Sequence, residues 1–214
     1  MHQFEIRADI RERILARRGR PHIHEQLIAA KTALVVVDMQ NAFVDPAKPS
    51  AVPEAQNIVS NINRLAAALR DHGGTVAWVY TTFSESTLTD WSAFFGGVYS
   101  EEFSRAVVSN LFDGSDGHRL WHELDIHESD LQVSKNRFSA FLPGACNLEK
   151  QLHQQGIDTV IITGTVTNVC CESSARDALM QNFNVVMAHD GNAALTDEDH
   201  NASMSAIAQT FGDV

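Results

Sequence analysis

"DTVIITGTVTNVCCESSARDALMQN", residues 158–182, decides the fold. Asp158 to Gly164 is a short apolar run rich in β-branched side chains, the pattern of a strand buried on both faces. The run breaks at Gly164, passes Thr165 and Thr167, and reaches the adjacent Cys170 and Cys171 as helical spacing sets in from Asn168 to Asn182. Strand, tight turn and helix in that order form the joint of an α/β protein.

The same joint recurs on either side. "TALVVVD" (32–38) is a continuous apolar run ending at an acid, and "VPEAQNIVSNINRLAAALRDHGG" (52–74) spaces Ile58, Ile62, Leu65 and Leu69 as one helix face. "TVAWVY" (75–80) and "LQVSK" (131–135) read as strands, with a helix expected over 145–155. "NVVMAHD" (184–190) is another strand, and "TDEDHNASMSAIAQTF" (196–211) a last helix capped by Thr196. Strands alternating with helices predict a three-layer α/β/α fold, a mostly parallel, Rossmann-like sheet of about six strands with helices on both faces. Between Thr81 and Asp130 the periodicity fails and aromatics crowd, which predicts a long excursion with short helices.

Length and an apolar content of 44% suit one domain, residues 31–214, preceded by an Arg-rich helical arm over residues 1–30. Arg7, Arg11, Arg13, Arg17, Arg18 and Arg20 alternate with Glu5, Asp9 and Glu12, the composition of a solvated helix. A net charge of −11 disfavours nucleic acid and anionic membranes and points to a small-molecule substrate. The sequence shows neither an export signal nor a membrane-length apolar run, so a cytoplasmic location is expected. Three cysteines do not make a disulfide framework; Cys146 and Cys171 read as packing residues.

Ligands of an open parallel sheet bind beyond the carboxyl ends of its strands. Asp38, Lys135 and Cys170 each follow a strand and so converge on one edge. With Asn168 or Thr167 as helix cap, Cys170 falls in a first helical turn, where the helix dipole and Lys135 are expected to depress the thiol pKa while Asp38 takes its proton. That combination makes Cys170 a nucleophile.

"ALVVVDMQNAF" (33–43), "VSKNRFSAF" (133–141) and "GTVTNVCCESSARDA" (164–178) resemble, in order and spacing, the signature segments of the isochorismatase-like cysteine hydrolases. The resemblance extends from about Thr32 to Val214. It implies a catalytic Asp38–Lys135–Cys170 triad, a cis peptide at Thr165–Val166, and an oxyanion hole formed by the Val166 and Cys170 N–H groups. It also implies acyl transfer through a thioester, and a homodimer or homotetramer.

Nicotinamidases of that family carry an Asp-x-His metal motif after the second strand; here the position reads "VYTTFSES" (79–86), which predicts no metal or other cofactor. His118 and His122, four apart in "GHRLWHELDIHESD" (117–130), read as a solvated stretch rather than zinc ligands. "TNVCCES" and "KNRFSAF" look closest to the branch acting on ureido and carbamoyl compounds, the ureidoacrylate and N-carbamoylsarcosine amidohydrolases. Trp91, Phe94 and Phe138 are candidate pocket walls, with Gln40, Asn41 and Phe43 near the mouth. An isochorismatase-type vinyl-ether hydrolase and a non-catalytic binding protein on the same fold are the alternatives. An aspartyl-phosphate reading of Asp38 fails because position 40 is Gln and Cys170 has no role in it.

Overall fold

The computed structural model describes residues 1–214. Five strands, β1 (Thr32–Val37), β2 (Thr75–Thr81), β3 (Leu131–Lys135), β4 (Thr159–Thr165) and β5 (Asn184–Ala193), form one parallel sheet in the order β3-β2-β1-β4-β5. The helices are α1 (Ala8–Arg18), α2 (Asn41–Val44), α3 (Val59–Asp71), α4 (Thr87–Asp90), α5 (Ser92–Phe95), α6 (Glu101–Asn110), α7 (Leu148–Gln154), α8 (Glu172–Met180) and α9 (Asp197–Ala206). The sheet has five strands rather than about six. Beyond β5 a single parallel bridge, Val186 to Asp213, is all that pairs on that edge.

β1 shows why the apolar run was needed. Every one of its residues is buried, and because side chains alternate across a strand, Ala33, Val35 and Val37 enter one core while Leu34 and Val36 enter the other. Trp78 of β2 joins the second core, against Ile62, Ala66 and Leu69 of α3. On the opposite face Ala175 and Ala178 of α8 pack with Leu148 and Leu152 of α7.

α9 begins as its sequence indicates, with the Thr196 hydroxyl accepting from the Asp199 N–H and three acids in its first turn. The basic arm is not wholly solvated: Ile14 of α1 is buried, and Arg18 donates to the Ala208 carbonyl beyond α9. No helix is long and apolar enough to cross a membrane.

In this strand order the chain runs outward from β1 through β2 to β3, then returns to the other side of β1 as β4. The connections diverge between β1 and β4, which opens a crevice at their carboxyl ends. β1 runs into Asp38 at this point, and β4 runs into the turn carrying Cys170.

Candidate active site

Asp38 follows the last residue of β1 in the left-handed region, with φ 51°. That region is uncommon for a side-chain-bearing residue, and Asp tolerates it better than most. Two hydrogen bonds hold it: the Asp38 N–H donates to the Val79 carbonyl at 2.8 Å, and the Thr165 hydroxyl donates to the Asp38 carbonyl at 2.7 Å. The close approach of β4 to this point requires Gly164, which pairs in register with Val37. Its φ is +113°, and a Cβ there would lie 2.0 Å from the Val37 carbonyl oxygen.

Lys135 ends β3, two strands away from β1, and its side chain reaches across β2. Its Nζ donates to Asp38 Oδ2 at 2.7 Å, to Thr81 Oγ1 at 2.7 Å and to the Arg137 carbonyl at 3.1 Å. Thr81 in turn donates to Asp38 Oδ1 at 2.9 Å. Asp38, Thr81 and Lys135 are all buried, so each charge is satisfied by protein alone. Burial by itself would lower the Lys135 pKa, but the Asp38 carboxylate, with Cys170 nearby, outweighs it and holds Lys135 above the ordinary lysine value.

The turn after β4 contains a cis peptide between Thr165 and Val166, then a π-helical turn over Thr167–Cys171 that leads into α8. Neither Asn168 nor Thr167 caps this helix; the N-cap position falls on Val166, with no side-chain bond. Thr167 instead pairs its hydroxyl with the buried His200 of α9 at 3.0 Å. The Val166 carbonyl accepts the N–H groups of Val169 and Cys171, passing over that of Cys170 between them. Ser174 fixes the turn from below, donating to the Cys170 carbonyl at 2.6 Å and accepting the Ala140 N–H.

Cys170 is 6% exposed, and both Asp38 and Lys135 act on its thiol. The expected depression of its pKa is reversed. Burial pushes the thiol well above its usual value; Lys135 opposes this, but Asp38 beside it raises the thiol further. The cation is already matched by a carboxylate, so little of its field remains to stabilise a thiolate. Cys171 faces the opposite way, bonding weakly to the Thr163 carbonyl within the core, and all three cysteines are free.

Above Cys170 lies a cavity of about 330 Å³. Phe43, Phe94 and Phe138 line it, as do Thr81 and Val166. Gln40, Asn41 and Trp91 do not. Gln40 is fully buried, its amide donating to the Thr81 and His118 carbonyls and accepting the Thr81 N–H, which makes it a strut behind Thr81. Asn41 points away to the Asp116 carbonyl. Trp91 stands behind the wall, its ring 4.8 Å from Phe94 and 4.7 Å from Phe138. Sequence reasoning missed Thr81, although its register opposite Lys135 at the end of β2 marks it once strand pairing is known. It also missed Tyr99, Phe103 and Leu195 on the cavity wall. His118 pairs with the Thr82 hydroxyl at 2.8 Å.

The parallel α/β sheet presents a buried acid, ammonium and thiol beneath an open cavity at its topological switch point, the place where such sheets hold small ligands. The chain belongs to the isochorismatase family: residues 32–214 match the Isochorismatase domain. It is 31% identical over 212 residues to the ureidoacrylate amidohydrolase of Variovorax paradoxus, covering 87% of this chain and 78% of that protein. It is 33% identical over 175 residues to a probable inactive nicotinamidase of Arabidopsis thaliana, covering 81% and 86%. A cysteine hydrolase structure from Pseudomonas syringae pv. phaseolicola superposes with a TM-score of 0.80 at 26% identity, covering 91% of this chain and 92% of that one. The protein is an isochorismatase-family hydrolase with amidohydrolases among its relatives.

Proposed function

We propose that the protein hydrolyses a C–N bond of a small amide, carbamoyl or ureido substrate through a thioester on Cys170. The observation that carries this reading is the Asp38–Thr81–Lys135 network set against a thiol at the floor of the cavity. The likeness to an amidohydrolase supports it.

Lys135 and Thr81 each donate a hydrogen bond to the Asp38 carboxylate and fix its two oxygens in place. Because the resting thiol is neutral, Asp38 removes its proton as the sulfur attacks the substrate carbonyl. The resulting oxyanion is received by the N–H groups of Val166 and Cys170, each worth about 3 kcal/mol of transition-state stabilisation. Asp38 returns the proton to the departing nitrogen, which leaves as ammonia or an amine. Water then adds to the thioester with Asp38 as base, and the thiol is restored as the acid is released.

Ammonia release over a panel of simple amides, carbamoyl amino acids and ureido acids tests this. Turnover that disappears in Cys170→Ala, with the near-ultraviolet circular dichroism unchanged, is the expected result. Normal turnover by Cys170→Ala would rule the mechanism out.

A further inference from the structure

The cavity wall is built from the aromatic excursion, and its chemistry is lopsided. Phe94 meets Phe95, Tyr99 and Phe138 edge-on at 4.8, 5.0 and 5.0 Å, and Tyr99 meets Phe103 at 4.9 Å, so the rings hold one another as a continuous apolar shell over Cys170. At the rim Leu195 is 61% exposed, so the entrance is apolar as well.

The polar side chains on the wall are Ser50, Thr81, Asn168, Arg137 and the Tyr99 hydroxyl, among a lining that is otherwise apolar. Thr81 is committed to Asp38 and Lys135. Arg137 is the sole charged side chain on the wall, and it is tethered. Its Nη1 donates to the Asn136 carbonyl at 2.7 Å, its Nη2 to the Asp90 carbonyl at 3.2 Å, and its guanidinium lies 4.9 Å over the Trp91 ring. Two of its five N–H groups are engaged, so turning the guanidinium towards a carboxylate would disturb both bonds and the cation–π contact. The Lys135 charge is buried against Asp38, and the chain as a whole is acidic, at −11. A carboxylate entering this cavity would lose its hydration with only this one tethered guanidinium to replace it.

We propose that the substrate is an uncharged amide whose acyl group is aromatic or branched and apolar, and that the cavity discriminates against amides carrying a carboxylate. This rests on the acyl-transfer reading of Cys170. It departs from the carbamoyl amino acids and ureido acids that the motif resemblance favours, because those carry a carboxylate.

The test is kcat/KM for ammonia release by the intact protein over two matched ladders. One ladder holds neutral amides of increasing length plus benzamide and phenylacetamide; the other holds the same lengths ending in a carboxylate, with ureidoacrylate included. The expected result is a rise of about fourfold per buried methylene along the neutral ladder, with each carboxylate at least about tenfold slower than its neutral counterpart. A flat neutral ladder overturns the proposal. So does a preference for the carboxylates, most plainly one abolished by Arg137→Gln. If that inverted preference still vanishes in Cys170→Ala, only the specificity has failed and the cysteine mechanism stands. Turnover that survives in Cys170→Ala removes both, as does ammonia release from neither ladder.

Discussion

Lys135→Met tests the buried network most sharply, because its effects on stability and on chemistry are separable. The substitution deletes three hydrogen bonds, to Asp38, Thr81 and the Arg137 carbonyl, and leaves the Asp38 carboxylate without its cation in a site closed to solvent. Removing one partner of such a pair costs about 3–5 kcal/mol, most of it the penalty of the stranded charge. Asp38→Asn is the matching change on the other side. Asn is nearly isosteric and tolerates the left-handed backbone at φ 51°, so the substitution adds little strain of its own. The double variant Asp38→Asn/Lys135→Met carries no buried charge and is expected to recover most of the lost stability, to within about 1–2 kcal/mol of the parent. It should nevertheless be inactive, with kcat at least about a hundredfold down, because no base remains. Urea denaturation of the four proteins gives the cycle, and ammonia release gives the chemistry. A Lys135→Met loss below about 1 kcal/mol, or a double variant as unstable as the sum of the singles, would refute the charge argument.

Gly164→Ala places a methyl group 2.0 Å from the Val37 carbonyl oxygen at a φ of +113°, and should cost at least about 3 kcal/mol in urea unfolding or prevent folding; near-parental stability would show that β1 and β4 are not so tightly apposed. His200 is held near pH 4, below its ordinary 6.5, first by burial and then by His2 and His189. The fold therefore favours its neutral form, so about 3 kcal/mol of stability is fully present above pH 6.5 and is lost as pH falls towards 4. In His200→Gln the unfolding free energy should flatten across that window; an unchanged slope would assign the acid sensitivity elsewhere. Because burial raises the Cys170 thiol, iodoacetamide should label it slowly at neutral pH and accelerate only above the range of a free cysteine, whereas a midpoint below 8.5 would restore the thiolate picture.

Local pattern carried the five strands and the placing of Asp38, Lys135 and Cys170 at one edge of the sheet, because a buried parallel strand must be apolar throughout and its end must then turn polar. β1 ending at Asp38 and β4 opening into the cysteine turn are readable on those grounds alone. Non-local pairing hid the rest. Thr81 matters only because β2 lies between β1 and β3, and no periodicity reports strand order. Gln40 looked like a mouth residue from its place after Asp38, yet its amide is used up by backbone groups from two distant segments. The helix cap was misjudged because a π turn offers its N–H groups in a different register from an ordinary first turn, leaving Thr167 to bond His200. The thiol pKa was misjudged because the depth at which Cys170 is buried, the largest cause of its shift, depends on tertiary packing that local sequence does not report.

The most direct measurement is intact mass of the protein after acid quench during turnover of an amide, followed by peptide mapping. A transient gain equal to the acyl group, confined to the peptide bearing Cys170 and absent from Cys170→Ala, is the result expected of a thioester intermediate. Steady ammonia release with the acyl group on another residue, or undiminished in Cys170→Ala, would contradict it.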